Sequence, residues 1–359
     1  MIALYKKYLI KKFLNKIIKV SIIFLSLIII LNTFDEISFF SDLEVYFLLP
    51  FILTLSNSPS VLFEIFPFVF LISSLLFFLD LINFNELEVF KINGLDNFKI
   101  IKIIFFTSMI VGLFLIVFYY SFSSKLKFVY LELKNNYTND GKYLAMINEN
   151  GIWIKDEVYE NIYIINAKKI EENKLKDVLI NQFDIDFELK STIISSSVDI
   201  TNNEWLIFNP ITTGGYDGLI QDNVLKLNTN FNVKKINQMF SDLSSLNILE
   251  LIKLSDDYER LGYSTNEVQS HLGKIYSYPV YLALMAVFSS IIMLNIKKNK
   301  PMIFYLILSI FLSVVIYYFN VVFNLLGETG KIPVYASIWM PIFILIIIIS
   351  IGLIRINEK

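Results

Sequence analysis

At 359 residues the chain is long enough for two or more structural units, and its net charge of -2 gives no sign of a strongly basic or acidic partner. Hydrophobic residues make up 55% of the chain and mean hydropathy is +0.59. A soluble globular chain carries about 45–50% apolar residues. Cysteine is absent, which excludes a disulfide framework, a thiolate metal site and a cysteine nucleophile.

The apolar residues fall into two blocks, 13–124 and 275–354, that predict membrane-spanning helices. A hydrocarbon core about 30 Å thick needs roughly 20 helical residues. Six spans are predicted, three in each block: Val20–Phe34 (extended backward by snorkelling lysines), about 62–83, Ile103–Ser124, Ile275–Ile296, Pro301–Gly327 and Ile332–Ile354.

The segment 42–60 is apolar but interrupted by Pro50, Pro59 and the polar pair before Pro59. Only Glu64 separates it from the next apolar run. Two antiparallel spans joined there would leave a polar turn in lipid, where unbonded backbone groups are costly. We therefore expect 42–60 to be an interfacial helix that precedes the second span.

Lysine and arginine in the short loops indicate the orientation. They lie in the acid-free first 19 residues, in the loop Lys297–Lys300, and at Arg355 and Lys359. The positive-inside rule places all three segments in the cytoplasm, which requires an even number of spans. The block between spans three and four then faces outward.

That block, 125–274, holds most of the acidic residues and changes from helical to alternating periodicity. The alternating runs predict short β-strands at 151–155, 161–165, 184–189, 192–200, 204–208 and 219–227. Short strands at this spacing are typical of a sandwich or jelly roll. From about 236 the helical spacing returns, through Leu246, Leu249, Ile252 and Leu254. The pattern leaves open whether this domain has an ordinary core or a groove that holds lipid.

The loop between spans two and three predicts a short amphipathic helix near 84–96. Its apolar and charged residues are expected on different faces, Leu87, Phe90 and Ile92 on one and Glu86 with Lys91 on another. Gly94 is expected to end the helix. Such a helix either docks into a cytoplasmic partner or lies solvated on the membrane surface, and periodicity does not decide between them.

Charged residues also flank the outer ends of the first three spans. Asp35 and Glu36 follow span one, Glu64 lies near the outer end of span two, and Lys125 and Lys127 follow span three. Acids near a bilayer are costly and often functional. For the two glutamates we favour interfacial solvation as the explanation. The lysines suit the phosphates of an anionic lipid, or simply flank a span.

Motifs for catalysis and metal binding are missing from the sequence. His271 is the single histidine and is expected to be structural. Gly327–Lys331 superficially resembles a nucleotide-binding loop, but the pattern requires glycine at Leu325 and serine or threonine at Ile332. No nucleophile elbow or paired metal-ligand motif occurs. We therefore expect no catalytic residue, metal or cofactor in this chain.

Several short motifs recur in the order found in one family. They are Lys7-Tyr8-Leu9, Phe34-Asp35, Glu86–Val89 with Gly94, Gly151–Asp156, Lys274 with Pro279, and Pro333 with Trp339–Pro341. With the three-plus-three layout, they make the chain resemble the lipopolysaccharide-export ABC transporter permeases of the LptF/LptG family, and more closely the LptG type.

The resemblance implies a six-helix membrane protein of the bacterial inner membrane with an inserted all-β, jellyroll-like periplasmic domain. It implies lipopolysaccharide as the cargo, an LptF-type permease as heterodimer partner, a cytoplasmic LptB-type ATPase dimer that binds the ATP, and a single-span LptC-type periplasmic protein. It implies no nucleic acid. The expected domains are 1–124, 125–274 and 275–359.

The resemblance also assigns residues. Glu86, Leu87, Glu88 and Gly94 match the helix that couples such permeases to the ATPase, and Asp35, Lys125 and Lys127 fall near the lipid-binding cavity. Relatives often carry lysines just after the acid that matches Asp35, where this chain has Ser38 and Phe39. The head group bound here is therefore expected to be less phosphorylated or held differently.

Two other classes compete with this interpretation. Lipoprotein-releasing and macrolide-type permeases place their large outer domain between spans one and two of four, which the hydropathy of this chain does not support. A membrane-anchored adhesion or sensor domain needs only one span. The six-span prediction disfavours both.

The predicted topology places residues 160 and 299 on opposite sides of the membrane. Accessibility labelling of intact cells should modify residue 160 from outside and residue 299 only after the membrane is opened. Labelling of both residues from the same side would contradict the six-span arrangement.

Overall fold

The computed structural model describes residues 4–41, 46–135, 137, 152–159, 161–171, 173–213, 220–221, 223–233, 235–236, 242–260, 263–295 and 302–357. The chain divides into two compact units. The membrane unit comprises Met1–Lys127 and Asn266–Lys359, and the β unit comprises Phe128–Thr265.

Helices make up the membrane unit. They are α1 (Leu4–Phe39), α2 (Leu49–Asn83), α3 (Glu86–Ile92), α4 (Asn97–Phe114), which continues through a π-helix (Leu115–Tyr120) into α5 (Ser121–Asn135), α7 (Asn266–Leu294), α8 (Met302–Glu328) and α9 (Val334–Asn357). The part of α5 after Lys127 belongs to the β unit. Within the described residues, six helices are long and apolar enough to cross a membrane, taking α4 to α5 as one. The six predicted spans are confirmed.

The predicted separation of the 42–60 helix from the second span is wrong over the part that the structure describes. Residues from Leu49 onward belong to the single 35-residue helix α2, which contains Pro59 and Pro67. A proline removes one intrahelical hydrogen bond and usually bends a helix without ending it when neighbours satisfy the freed group. Residues 42–45 lie outside the described ranges.

The carbonyl of Phe63 shows how a neighbour satisfies such a group. Because Pro67 has no N–H, this carbonyl loses its usual partner four residues ahead. The Tyr278 hydroxyl of α7 is buried and donates a hydrogen bond to it. The rings of Phe63 and Tyr278 also stack, with centroids 4.5 Å apart.

α7 is the central helix of the membrane unit and packs against α2, α4, α8 and α9. Small residues allow these helices to approach each other closely. Such residues are usual at helix contacts in lipid, where the hydrophobic effect does not drive helices together. A Cβ built on Gly112 of α4 would lie 2.7 Å from the Pro279 Cα. On the α2 side, Ser74 Oγ donates to the Ala286 carbonyl at 2.7 Å.

The π-helix Leu115–Tyr120 turns two consecutive tyrosines toward different helices. A π turn contains an extra residue and so rotates the side chains that follow it. The Tyr119 hydroxyl donates to the Pro59 carbonyl at 3.1 Å, and Tyr120 Oη lies 3.0 Å from His271 Nε2. His271 thus forms a helix-to-helix contact, in keeping with the structural role predicted for it.

The described part of the β unit contains one antiparallel sheet. Its strands are β1 (Ile152–Val158), β2 (Asn161–Glu171), β3 (Lys174–Phe183), β4 (Leu189–Asp199), β5 (Glu204–Phe208), β6 (Ile211–Thr213), β7 (Ile220–Gln221) and β8 (Val224–Asn228). The main order is β1-β2-β3-β4-β5-β8, with β6 pairing β4 and β7 pairing β6. This confirms the predicted all-β insertion between the third and fourth spans.

The predicted strand at 184–189 is wrong, and β3 was missed. Residues 184–188 connect β3 to β4, and Asp184 Oδ1 accepts hydrogen bonds from the backbone N–H groups of Asp186 and Glu188. Asp177 in β3 has φ 50°, and the strand buries both Leu175 and Val178, three residues apart. The alternation of buried and exposed side chains is therefore interrupted inside β3. For this reason a strictly alternating pattern does not predict this strand.

The sheet curls until residues near its two edges meet. Asp156 of β1 is 1% exposed, and its carboxylate accepts from the backbone N–H of Asn230 at 3.0 Å and from the Asn230 side chain at 2.8 Å. Asn230 lies just past β8, at the other edge. These hydrogen bonds compensate the burial of the carboxylate and hold the half-barrel curvature.

Helix α6 (Ile248–Arg260) follows a 3₁₀ turn at Leu243–Ser245. The predicted return of helical spacing is thus confirmed, although the predicted residues do not share one buried face: Leu246 and Leu254 are buried, whereas Leu249 and Ile252 are exposed. Nearby, burial raises the pKa of the Tyr263 hydroxyl, and the Lys155 backbone N–H that donates to it partly opposes this shift. Tyr263 is therefore neutral at physiological pH and acts as an acceptor.

Replacing Tyr278 by phenylalanine should leave the Phe63 carbonyl without a donor and lower stability by about 1–3 kcal/mol. Pro67→Ala restores an N–H at the position that normally bonds this carbonyl, so Tyr278→Phe should cost less in that background. Thermal unfolding in detergent of the two single variants and the double variant measures the difference. Tyr276→Phe, on an exposed tyrosine of the same helix, is the control. Equal losses in both backgrounds would contradict the assigned hydrogen bond.

Candidate functional site

Helix α3 lies at a sharp corner after α2. The turn passes through Asn85, whose φ of 57° is in the left-handed region. The helix ends at Ile92, and Gly94 adopts φ 80°, which glycine tolerates at no steric cost. The predicted stop at Gly94 is confirmed, and the helix is seven residues long.

The predicted faces of α3 are partly wrong. Leu87 is buried, and the half-buried Phe90 ring lies 6.3 Å from the Tyr8 ring of α1, centroid to centroid. Ile92 is 85% exposed and Val89 is 55% exposed. The apolar residues therefore divide into an inner pair and an outer pair, because the helix begins with Leu87 already turned into the membrane unit.

Glu86 is expected on a solvated face but is held by α1. Both carboxylate oxygens lie near Lys12 Nζ, at 2.7 and 2.6 Å, and the Tyr8 hydroxyl donates to Oε1 at 3.0 Å. The side chains of Lys12 and Glu86 are 16% and 26% exposed, so water screens this ion pair less than a surface one.

A second ion pair lies one turn further along α1. Lys16 Nζ is 2.6 Å from Asp80 Oδ2 near the end of α2. These partners were not predicted from the sequence, although Tyr8, Lys12 and Lys16 are spaced four residues apart and therefore share one helix face. This spacing on α1, together with an acid near the end of the next helix, is the sequence signal that would predict these ion pairs.

At the far ends of the first three spans, the two predicted lipid-binding lysines have different surroundings. Lys127 Nζ donates to the Asn57 side-chain oxygen of α2 at 2.9 Å, whereas Lys125 is exposed. Both lysines lie within the continuous helix that runs to Asn135, past the predicted span end at Ser124. Asn57 belongs to the stretch predicted to be interfacial.

The acids near these lysines differ in burial. Asp35 is exposed on α1, and among the described residues it forms no ion pair with Lys125 or Lys127. Glu36 is 4% exposed, so the expectation that solvent stabilises it is wrong. Glu64 is exposed on α2. One helical residue rotates the side chain by about 100°, so the neighbours Asp35 and Glu36 face outward and inward respectively.

Within the described residues, no group of three His, Cys, Asp or Glu side chains is placed to hold a metal ion. The arrangement that the structure does contain is a six-helix bundle, an inserted curled β-sheet and a short helix at a corner with an exposed apolar edge. Together these features define a multi-pass membrane protein with a large insertion between its third and fourth spans.

Comparison with known families identifies the class more closely. The chain matches the model of the family described as lipopolysaccharide export system permease LptF/LptG over residues 7–355. It belongs to this family and is a permease, a transport subunit that is not itself an enzyme. That model covers both permease types, so the closer likeness to LptG stays a prediction. No curated protein matches the chain.

Proposed function

We propose that this chain is one permease of an ATP-driven lipopolysaccharide exporter of the bacterial inner membrane. It takes the lipid from the outer leaflet and passes it, through its β unit, toward an LptC-type periplasmic bridge. Membership of the family supports lipopolysaccharide as the cargo. The contacts around α3 support the proposal that its exposed edge binds the ATPase.

Lipid extraction needs an energy source. Removing an acyl chain from a bilayer costs about 0.8 kcal/mol per buried CH₂, so a lipid with several chains does not leave unaided. The sequence contains no nucleotide-binding motif. A separate cytoplasmic ATPase of the LptB type is therefore the proposed source, and the ATP is bound there.

The exposed edge of α3, Val89 and Ile92, is the proposed docking surface for that ATPase. These two residues are one helical turn apart, and Phe84, in the turn before α3, is 71% exposed. The inner side of α3 is occupied by contacts within this chain, through Glu86 and Leu87. An apolar edge on a short helix whose other side is anchored suits an insert into a groove of a partner.

A second permease of the LptF type is the proposed partner within the membrane. In the apolar stretch of α7 83% of the residues are buried, whereas in those of α1 and α8 only 17% and 11% are buried. Apolar side chains that the chain does not cover itself must face lipid or another helix. α1 and α8 are therefore the helices most available to pair with a second permease and to enclose lipid with it.

Replacing Ile92 by aspartate should weaken association with the ATPase by at least roughly tenfold, because a charge would replace an apolar anchor in the groove. Co-purification of the membrane complex measures it. Leu4→Asp is the control, since Leu4 is equally exposed, at 85%, but lies at the start of α1. If the two variants bind alike, α3 is not the docking surface.

A photocrosslinking residue introduced at Lys125 should capture lipopolysaccharide, because this position is exposed next to the Lys127–Asn57 contact. The control is Lys102, an exposed lysine on the same continuous helix. It lies 23 positions earlier, about 35 Å away along the helix axis. Immunoblotting for crosslinked lipid reads the result. Capture at Lys102 and not at Lys125 would reject the proposed lipid site.

A further inference from the structure

Lys12 lies in a cage formed by side chains of three different segments. Its ammonium contacts both oxygens of Glu86 in α3 and lies 5.6 Å from the ring centroid of Tyr8 in α1 and 5.8 Å from that of Phe84 in the turn between α2 and α3. A carboxylate and two aromatic faces together form a strong site for one cation. This site joins α1 to the start of α3.

The cage connects two parts of the chain that the backbone does not connect directly. α3 follows α2 through a two-residue turn with Asn85 in the left-handed region. α1 and α3 are separated in sequence by the whole of α2, and side chains of Tyr8 and Lys12 contact α3 directly. α2 also packs against α1, so these side chains add a direct contact between α3 and α1 to the indirect connection through α2.

α1 is suited to carry such a displacement along its length. It is one helix of 36 residues, about 54 Å long, and it contains neither glycine nor proline. Such residues are the usual sites of sharp bends, and α2, α7 and α9 all contain proline within the helix. Lys12 and Asp35 lie near opposite ends of α1, separated by about 35 Å of continuous helix.

We propose that Lys12 is a positioning residue of the transport cycle: its contact with Glu86 transmits movement of α3 to α1. The inference rests on the proposed function, in which α3 receives the motion of the ATPase. In this proposal the Glu86 carboxylate binds Lys12 within the chain. The ATPase binds the outer edge of α3, and the inner edge contacts α1.

Lys12→Gln should lower the amount of lipid released per ATP hydrolysed by roughly five- to tenfold, the size of a typical coupling between sites. The ATPase should still co-purify, because Val89 and Ile92 are untouched. The assay uses the complete complex in proteoliposomes. Lys11→Gln is the matched control, since Lys11 is the adjacent lysine, is exposed, and forms no ion pair among the described residues.

An exchange of charges separates an internal contact from a contact with the partner. Lys12→Glu and Glu86→Lys should each uncouple transport from hydrolysis, and the double variant should restore coupling because the ion pair is rebuilt in reverse. If Glu86 instead bound a cation on the ATPase, the double variant would remain as defective as Glu86→Lys alone.

A covalent link offers an independent rescue. The chain contains no cysteine, so Tyr8→Cys with Phe90→Cys introduces a single crosslinkable pair between α1 and α3. Joining the pair with a short thiol crosslinker in the Lys12→Gln background should restore the lipid released per ATP, and the uncrosslinked sample should remain uncoupled.

Wild-type coupling in Lys12→Gln, or an uncoupled charge-exchange variant, would overturn the role of Lys12 and leave the proposed function intact. A wild-type complex that binds no ATPase and releases no lipid would instead overturn the proposed function, and this inference with it.

Discussion

Backbone hydrogen bonding inside lipid is the constraint on which the membrane unit depends. No water is available there, so every carbonyl released by a proline needs a donor from elsewhere in the protein. At Phe63 that donor is Tyr278, which lies beside Pro279 on the central helix α7. The continuity of α2 therefore depends on the packing of α7, and the position of α3 at the end of α2 depends on that continuity.

The lysines near the N-terminus serve two purposes that their number alone does not separate. Collectively they indicate which side of the membrane the N-terminus occupies. Individually they divide by helix face: Lys12 pairs with an acid at the start of α3 and Lys16 with one near the end of α2, whereas Lys11 and Lys19 are exposed. A charge that sets topology and a charge that joins helices thus lie one residue apart.

In the β unit, the buried carboxylate of Asp156 joins the two edges of the sheet, as the ion pairs of Lys12 and Lys16 join helices in the membrane unit. Asp156 is placed where an alternating strand would bury an apolar side chain, and it is stabilised by hydrogen bonds from Asn230. An unpaired carboxylate there would be strongly unfavourable. The curvature of the sheet brings Asn230 to Asp156 and so supplies the hydrogen bonds that the buried charge needs.

The sequence by itself determined the number of spans, the inserted β unit and the existence of α3, because each depends on local periodicity and on lengths of apolar chain. Only the tertiary structure decided that residues 49–60 continue α2, that Glu36 is buried, and that Glu86 belongs to Lys12. Contacts that join the helices link residues far apart in the sequence: Tyr278 is 215 residues from Phe63, whose carbonyl it bonds, and Lys12 is 74 residues from Glu86. Periodicity reports which face a residue occupies, and only packing reports what that face meets.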